Sequence, residues 1–205
     1  MDLINKLAIV VAPTGALNTR ENVPYMAYTA EEQAQEARRC EEAGAPIYHV
    51  HVRDDKFANS GNPKDYGKLV REVRKTSNAL IQIGSAIGPR RDPDTGDINY
   101  PWTPEDRLAV MATEPKPDMY SLKIGAVELQ IPGERYSNVG LRNSPEFLRK
   151  AIPLILGAKQ CIELEIFDIG ALHNAKKLEK EGLFGESGLC SPGVYLHYVM
   201  GCGAQ

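Results

Sequence analysis

The segment Cys161-Ile162-Glu163-Leu164-Glu165-Ile166-Phe167 sets the tightest limit on the fold. Successive side chains of a strand point to opposite faces. Ile162, Leu164 and Ile166 therefore share one face, and Glu163 and Glu165 share the other. Three further runs divide in the same way. In Ile47–Val52, His49 and His51 oppose Tyr48, Val50 and Val52; in Met119–Ile124, Ser121 and Lys123 oppose Tyr120, Leu122 and Ile124; in Val194–Val199, His197 opposes Leu196 and Tyr198. Buried charges must be paired or bound to metal. The fold must therefore give these strands one apolar side and one shared polar side.

The rest of the chain supplies the helices. Leu7–Ala12 reads as a first strand and Leu80–Ile83 as a third. Thr29 opens a helix, with Glu32 three residues on as a capping box; Ala30, Ala34, Ala37, Cys40 and Ala43 form its apolar stripe. Tyr66, Leu69, Val70 and Val73 mark a second helix. Pro104 stands at the first position of a third. Ser144 caps a fourth, with Phe147, Leu148, Ala151, Ile152 and Ile155 inward, and a fifth spans about Ile169 to Lys180. Arg90 to Trp102, rich in Pro, Asp and Gly, reads as a loop. Strands alternating with helices at roughly 30–45 residues per unit indicate parallel βα units. An open doubly wound sheet and a (β/α)8 TIM barrel both meet that description. The shared polar face favours the barrel, whose interior collects it and whose active sites lie at the C-terminal strand ends. Such a barrel takes roughly 250–300 residues. A chain of 205 residues is then a single domain, 1–205, with about six βα units: an incomplete barrel, truncated on its C-terminal side.

Composition excludes several roles. A net charge of −3 leaves no basic footprint for nucleic acid or an anionic membrane. No apolar run is long enough to span a bilayer, and the N-terminus lacks a signal-peptide pattern. The four cysteines (Cys40, Cys161, Cys190 and Cys202) show neither metal spacing nor a disulfide framework, as expected for reduced thiols in the cytoplasm.

His49 and His51, two apart on one strand face, are the leading metal ligands, since neutral imidazole is a common zinc ligand. Two His, two Glu and a Lys converging on one side read more simply as a site than as packing. The plain alternative is an interior ion pair between Lys123 and Glu163 or Glu165. Ser85, in the Gly-flanked loop after the third strand, reads equally as an anion contact or a turn serine. His173 falls among polar neighbours on a helix. Arg90-Arg91 is a basic pair of the kind that is usually solvated but can hold an anionic cofactor. No P-loop or dinucleotide fingerprint is present.

Taken in order, Pro13-Thr14-Gly15-Ala16, Thr29-Ala30-Glu31-Glu32, Glu42-Ala43-Gly44-Ala45, His49-Val50-His51-Val52-Arg53-Asp54, Glu163–Asp168 and the strand near Tyr195–Gly201 resemble the β-keto acid cleavage enzyme family. The resemblance implies a (β/α)8 barrel, usually homo-oligomeric, with a divalent metal, normally zinc. It implies a retro-Claisen-type exchange in which a β-keto acid and acetyl-CoA give acetoacetate and a new acyl-CoA. His49 and His51 match the family's zinc histidines. Ser121 matches a substrate-contacting Thr, and Ser85 or Gly84 loosely matches a substrate-holding turn. Glu163 is expected to orient groups or transfer a proton. Two departures stand out. Leu17 follows Gly15-Ala16 where the aminohexanoate-cleaving member has a Glu for its substrate's ammonium, so a substrate neutral or apolar at its far end is expected. The family's third metal ligand and its catalytic Arg and Asp belong to a seventh strand, beyond the sixth and last strand read here. Two rival readings remain. One is a metal-dependent amidohydrolase-like barrel, favoured only by His197. The other is an inactive metal-binding barrel fragment, which should expose apolar surface and associate.

Overall fold

A computed structural model describes residues 7–92, 94–129 and 139–200. Six strands form its main sheet: β1 (Val10–Val11), β2 (Ile47–Val50), β3 (Leu80–Gly84), β4 (Met119–Lys123), β5 (Cys161–Ile166) and β6 (Val194–Tyr198). They lie side by side in chain order, and every pairing is parallel. That order decides between the two architectures. A doubly wound sheet reverses its strand order at a switch point. Here the order never reverses, and right-handed crossovers then carry every helix to the same side. The result is a curled parallel sheet with helices outside and a polar concave face.

The helices are α1 (Ala30–Glu42), α2 (Pro63–Thr76), α3 (Pro104–Met111), α4 (Pro145–Gly157) and α5 (Ile169–Lys180). Local chemistry starts each one. Thr29 accepts from the Glu32 N–H at 3.1 Å, and Glu32 accepts from the backbone of Thr29 at 3.0 Å and Tyr28 at 2.8 Å. Thr103 and Asp106 repeat the box on α3, ahead of Pro104. Asn62, Ser144 and Asp168 cap α2, α4 and α5. The core lies between helices and sheet: Tyr48, Val50, Ile81, Ile83, Tyr120, Leu122, Ile162 and Leu164 are fully buried against Val70, Val73, Ala151, Ile152 and Ile155.

Three expectations needed correction. The first strand is Val10–Val11 rather than Leu7–Ala12; among the described residues it has a partner on one side only, and Leu7, Ile9 and Val10 are exposed. On α1 the buried stripe is Gln33, Ala34, Ala37 and Cys40, whereas Ala43 is the exposed C-cap. Gln33 goes inside because its amide donates to the Tyr28 and His51 carbonyls. Two antiparallel ribbons also went unread. One pairs Arg90–Arg91 with Ile98–Asn99 inside the expected loop, and the other pairs Gly125–Leu129 with Val139–Asn143 after β4. Both are short and pair only with themselves, so neither carries a long alternating run.

Candidate active site

Alternation on the sheet places the polar groups. Tyr48 and Val50 pack toward the helices, which turns His49 to the concave face, and His51 follows just beyond the strand. Ile81 and Ile83 do the same for Gln82 on β3. In register, His49 stands beside Gln82, Gly84 beside Ser121, Ser121 beside Glu163, and Glu163 beside Tyr195.

A hydrogen-bonded relay crosses this face. His49 Nδ1 is 2.8 Å from Gln82 Oε1, Gln82 Nε2 is 3.2 Å from Glu163 Oε2, and His197 Nδ1 is 2.9 Å from Glu163 Oε1. The direction of the bonds follows from what each group can do. A carboxylate only accepts, so the amide nitrogen of Gln82 faces Glu163 and its oxygen faces His49. His49 must then donate from Nδ1, which leaves a lone pair on Nε2. His51 reaches the same state by another route: its Nδ1 lies 3.2 Å from the Ile87 carbonyl, which can only accept. Burial first, and the neighbouring His49 ring second, push the pKa of His51 down to about 3, so His51 is neutral.

The two Nε2 atoms are 3.4 Å apart. Two lone pairs turned toward each other at that distance repel, and a shared cation removes the repulsion. Two nitrogens bound at ~2.0–2.1 Å to one tetrahedral ion stand roughly 3.3–3.4 Å apart. The pair therefore fits a divalent metal in spacing and in the Nδ1 contacts that leave each Nε2 facing the other. Gly84 leaves room for it: a Cβ there would come within 3.2 Å of His51 Cε1 and 3.5 Å of His49 Nε2. Among the described residues, no group of three or more His, Cys, Asp or Glu is gathered as metal ligands.

The other expected residues fall into place around this centre. Ser121 and Ser85 are both buried, and Ser85 N donates to Ser121 O at 3.0 Å. Lys123 shares the face with its Nζ 4.5 Å from the Phe167 ring centre. Glu163, not Glu165, is joined to His49. His197, the residue favouring the hydrolase alternative, binds Glu163 through Nδ1. His173 is exposed on α5. Gln82, the middle of the relay, went unread as a site residue; its signal was the same alternation, a polar residue between Ile81 and Ile83.

Comparison with known proteins gives consistent results. Residues 6–205 match the beta-keto acid cleavage enzyme family. The 3-keto-5-aminohexanoate cleavage enzyme of Fusobacterium nucleatum subsp. nucleatum is 31% identical over 183 residues, which are 88% of this chain and 60% of that protein. The 3-oxoadipate:acetyl-CoA acetyltransferase of Cupriavidus necator is 29% identical over 143 residues, 60% of this chain and 50% of that one. Among solved structures, the binary complex of ObcA with oxaloacetate superposes with a TM-score of 0.62 at 23% identity, covering 84% of this chain and 37% of that one. The chain thus spans about 60% of the length of the first of these relatives.

Proposed function

The chain belongs to the beta-keto acid cleavage enzyme family, and from that premise we propose that it is an acyltransferase that cleaves a β-keto acid at the expense of acetyl-CoA. In the exchange, the bond between the keto carbon and the carboxymethyl carbon breaks. The acyl group leaves as acyl-CoA, and the carboxymethyl fragment takes the acetyl group to become acetoacetate. Relatives named for acetyl-CoA-dependent transfers from keto acids support this reading. So does a curled sheet with unreversed strand order, the arrangement of six units of a (β/α)8 barrel. We place the enzyme in the cytoplasm as a homo-oligomer, in keeping with the exposed Tyr195, Tyr198 and Met200 at one sheet edge. No helix among the described residues is long and apolar enough to cross a membrane.

His49 and His51 would hold a divalent metal, zinc by expectation, as part of a ligand set that usually numbers three protein groups in catalytic zinc sites. When bound, such an ion supplies Lewis-acid polarisation of a keto oxygen. The remaining residues orient. Glu163, with both oxygens engaged, anchors Gln82 and through it the His49 ring. Ser121, between Gly84 and Glu163, offers its hydroxyl to a substrate oxygen, and Ser85 closes the same turn.

The observation that carries this reading is the pair of Nε2 atoms 3.4 Å apart, on rings whose Nδ1 atoms are engaged by Gln82 Oε1 and the Ile87 carbonyl. Elemental analysis of the purified protein, with His49→Ala alongside, tests it. Near-stoichiometric zinc that disappears in the variant, together with β-keto acid cleavage that requires acetyl-CoA, is the expected result. Wild-type protein without metal would refute the metal centre, and cleavage that proceeds without CoA would refute the transferase.

A further inference from the structure

A cleft of about 410 Å³ opens among the loops that follow β1, β2 and β3, and its lining is cationic. Arg20, Arg53, Lys56, Arg90 and Arg91 contribute to it, against a single acid, Glu21. Two of these cations are already neutralised: Arg20 pairs with Glu32 and Arg90 with Asp54. Arg53 and Lys56 have no ion pair among the described residues, though Asp54 acts on Arg53 at longer range. Arg53 donates to the carbonyls of Gly15 and Asn18, which carry no charge, and its Nε is buried with no hydrogen-bond partner. The Lys56 side chain has no ion pair or hydrogen bond among the described residues. Its loop is also held in an uncommon shape, with Phe57 at φ +62°, a conformation that costs a bulky side chain energy and often marks a functional segment.

The cleft adjoins the histidines through the chain. Arg53 follows His51 by two residues, about 6–7 Å along an extended chain. Asn59 forms part of the lining and ties it down, donating to the carbonyls of Ala16 and Pro89. Those residues sit in the loops after β1 and β3, next to the Ile87 carbonyl that holds His51. A six-carbon acid held at the histidines by its keto-acid end would direct its other end toward this region. Leu17 lines the cleft, with no carboxylate at that position. The surroundings are nevertheless not neutral.

We propose that Arg53 and Lys56 form a subsite for an anionic group at the far end of the β-keto acid, so that the preferred substrates are β-keto diacids. This replaces the neutral far end expected from Leu17 alone, and it rests on the cleavage function proposed above. The phosphates of CoA are the other source of negative charge that such a subsite would attract.

The test compares 3-oxoadipate with 3-oxohexanoate, similar chains with and without the distal carboxylate, in wild type and Lys56→Glu. Lys56 is exposed, so the variant is expected to fold. Loss of one charge-assisted contact and its reversal should raise KM for 3-oxoadipate about tenfold or more. KM for 3-oxohexanoate and for acetyl-CoA should stay within about twofold. Calorimetric binding of adipate, weakened in the variant, is the expected result that does not depend on turnover. A higher acetyl-CoA KM with both acids would assign the cleft to CoA phosphates and overturn the diacid proposal. Equal behaviour of the two acids in wild type would overturn it as well, with the cleavage reading intact. Adipate binding that depends on Lys56, with neither acid cleaved, would support the subsite and refute the cleavage function.

Discussion

At the residue scale, the proposed metal site rests on tautomer control. Gln82 holds the proton of His49 on Nδ1, and Glu163 holds Gln82 the right way round. Gln82→Leu removes that control with little change in volume, and the partners of metal ligands typically contribute 10–100-fold in affinity. We expect zinc affinity, measured by chelator competition, to fall by about that factor. Gly84→Ala should weaken metal binding too, because the new methyl lies 3.2 Å from His51 Cε1. An unchanged affinity would mean that the ring moves aside freely. His51 also makes the metal-free fold sensitive to acid. Its folded pKa is depressed to about 3, whereas an unfolded His titrates near 6.5. Below pH 6.5 the unfolded chain binds a proton that the folded one refuses, so stability falls as pH drops from 6.5 toward 3. Between pH 6.5 and 5 the loss should be about 1–2 kcal/mol. Urea midpoints of the metal-free protein should show it, and His51→Gln should flatten the slope.

At the element scale, caps and small residues position the helices on the sheet. Glu32 closes the capping box of α1 and also pairs with Arg20. Backbone N–H groups of Thr29, then of Tyr28, and the Arg20 guanidinium lower its pKa to about 2. Its contribution is therefore complete above the unfolded pKa near 4.5 and disappears as pH falls through about 2. Glu32→Ala should cost about 0.5–2 kcal/mol at pH 7, the usual range for a lost cap. The gap between variant and wild type should narrow in acid; a constant gap from pH 7 to pH 3 would show that the charge on Glu32 contributes nothing. The caps of α1 and α4 and the Pro104 start of α3 were legible because their signals lie within four residues. The two ribbons were not, because their pairing satisfies only themselves. The inward turn of Gln33 was hidden because its partners, Tyr28 and His51, lie 5 and 18 residues away.

Across the whole molecule, the sheet is the unit of stability and its two outer strands are the weak point. Leu164 is fully buried at the centre of the core, and Leu164→Ala should cost about 2–5 kcal/mol by chemical denaturation. At the outer strands, β1 and β6 each pair on one side only among the described residues, and Val10, Tyr195, Leu196 and Tyr198 are exposed there. Unpaired strand edges with apolar side chains associate. Sedimentation velocity should therefore show concentration-dependent association, weakened by Leu196→Lys. A monomer at all concentrations would exclude these edges as contact surfaces.

The sequence by itself determined which residues face which way. Strand alternation has a period of two and helix capping spans four residues, so both are written in neighbouring letters. His49, His51, Ser121 and Glu163 were accordingly legible as one polar face before any fold was known. Only the tertiary structure decided how they combine. Register across β2, β3, β5 and β6 chose Glu163 over Glu165, recruited Gln82, and set the two Nε2 atoms 3.4 Å apart. It also folded three separate loops into one cationic cleft. Those outcomes depend on contacts between segments up to 81 residues apart, which no local pattern encodes.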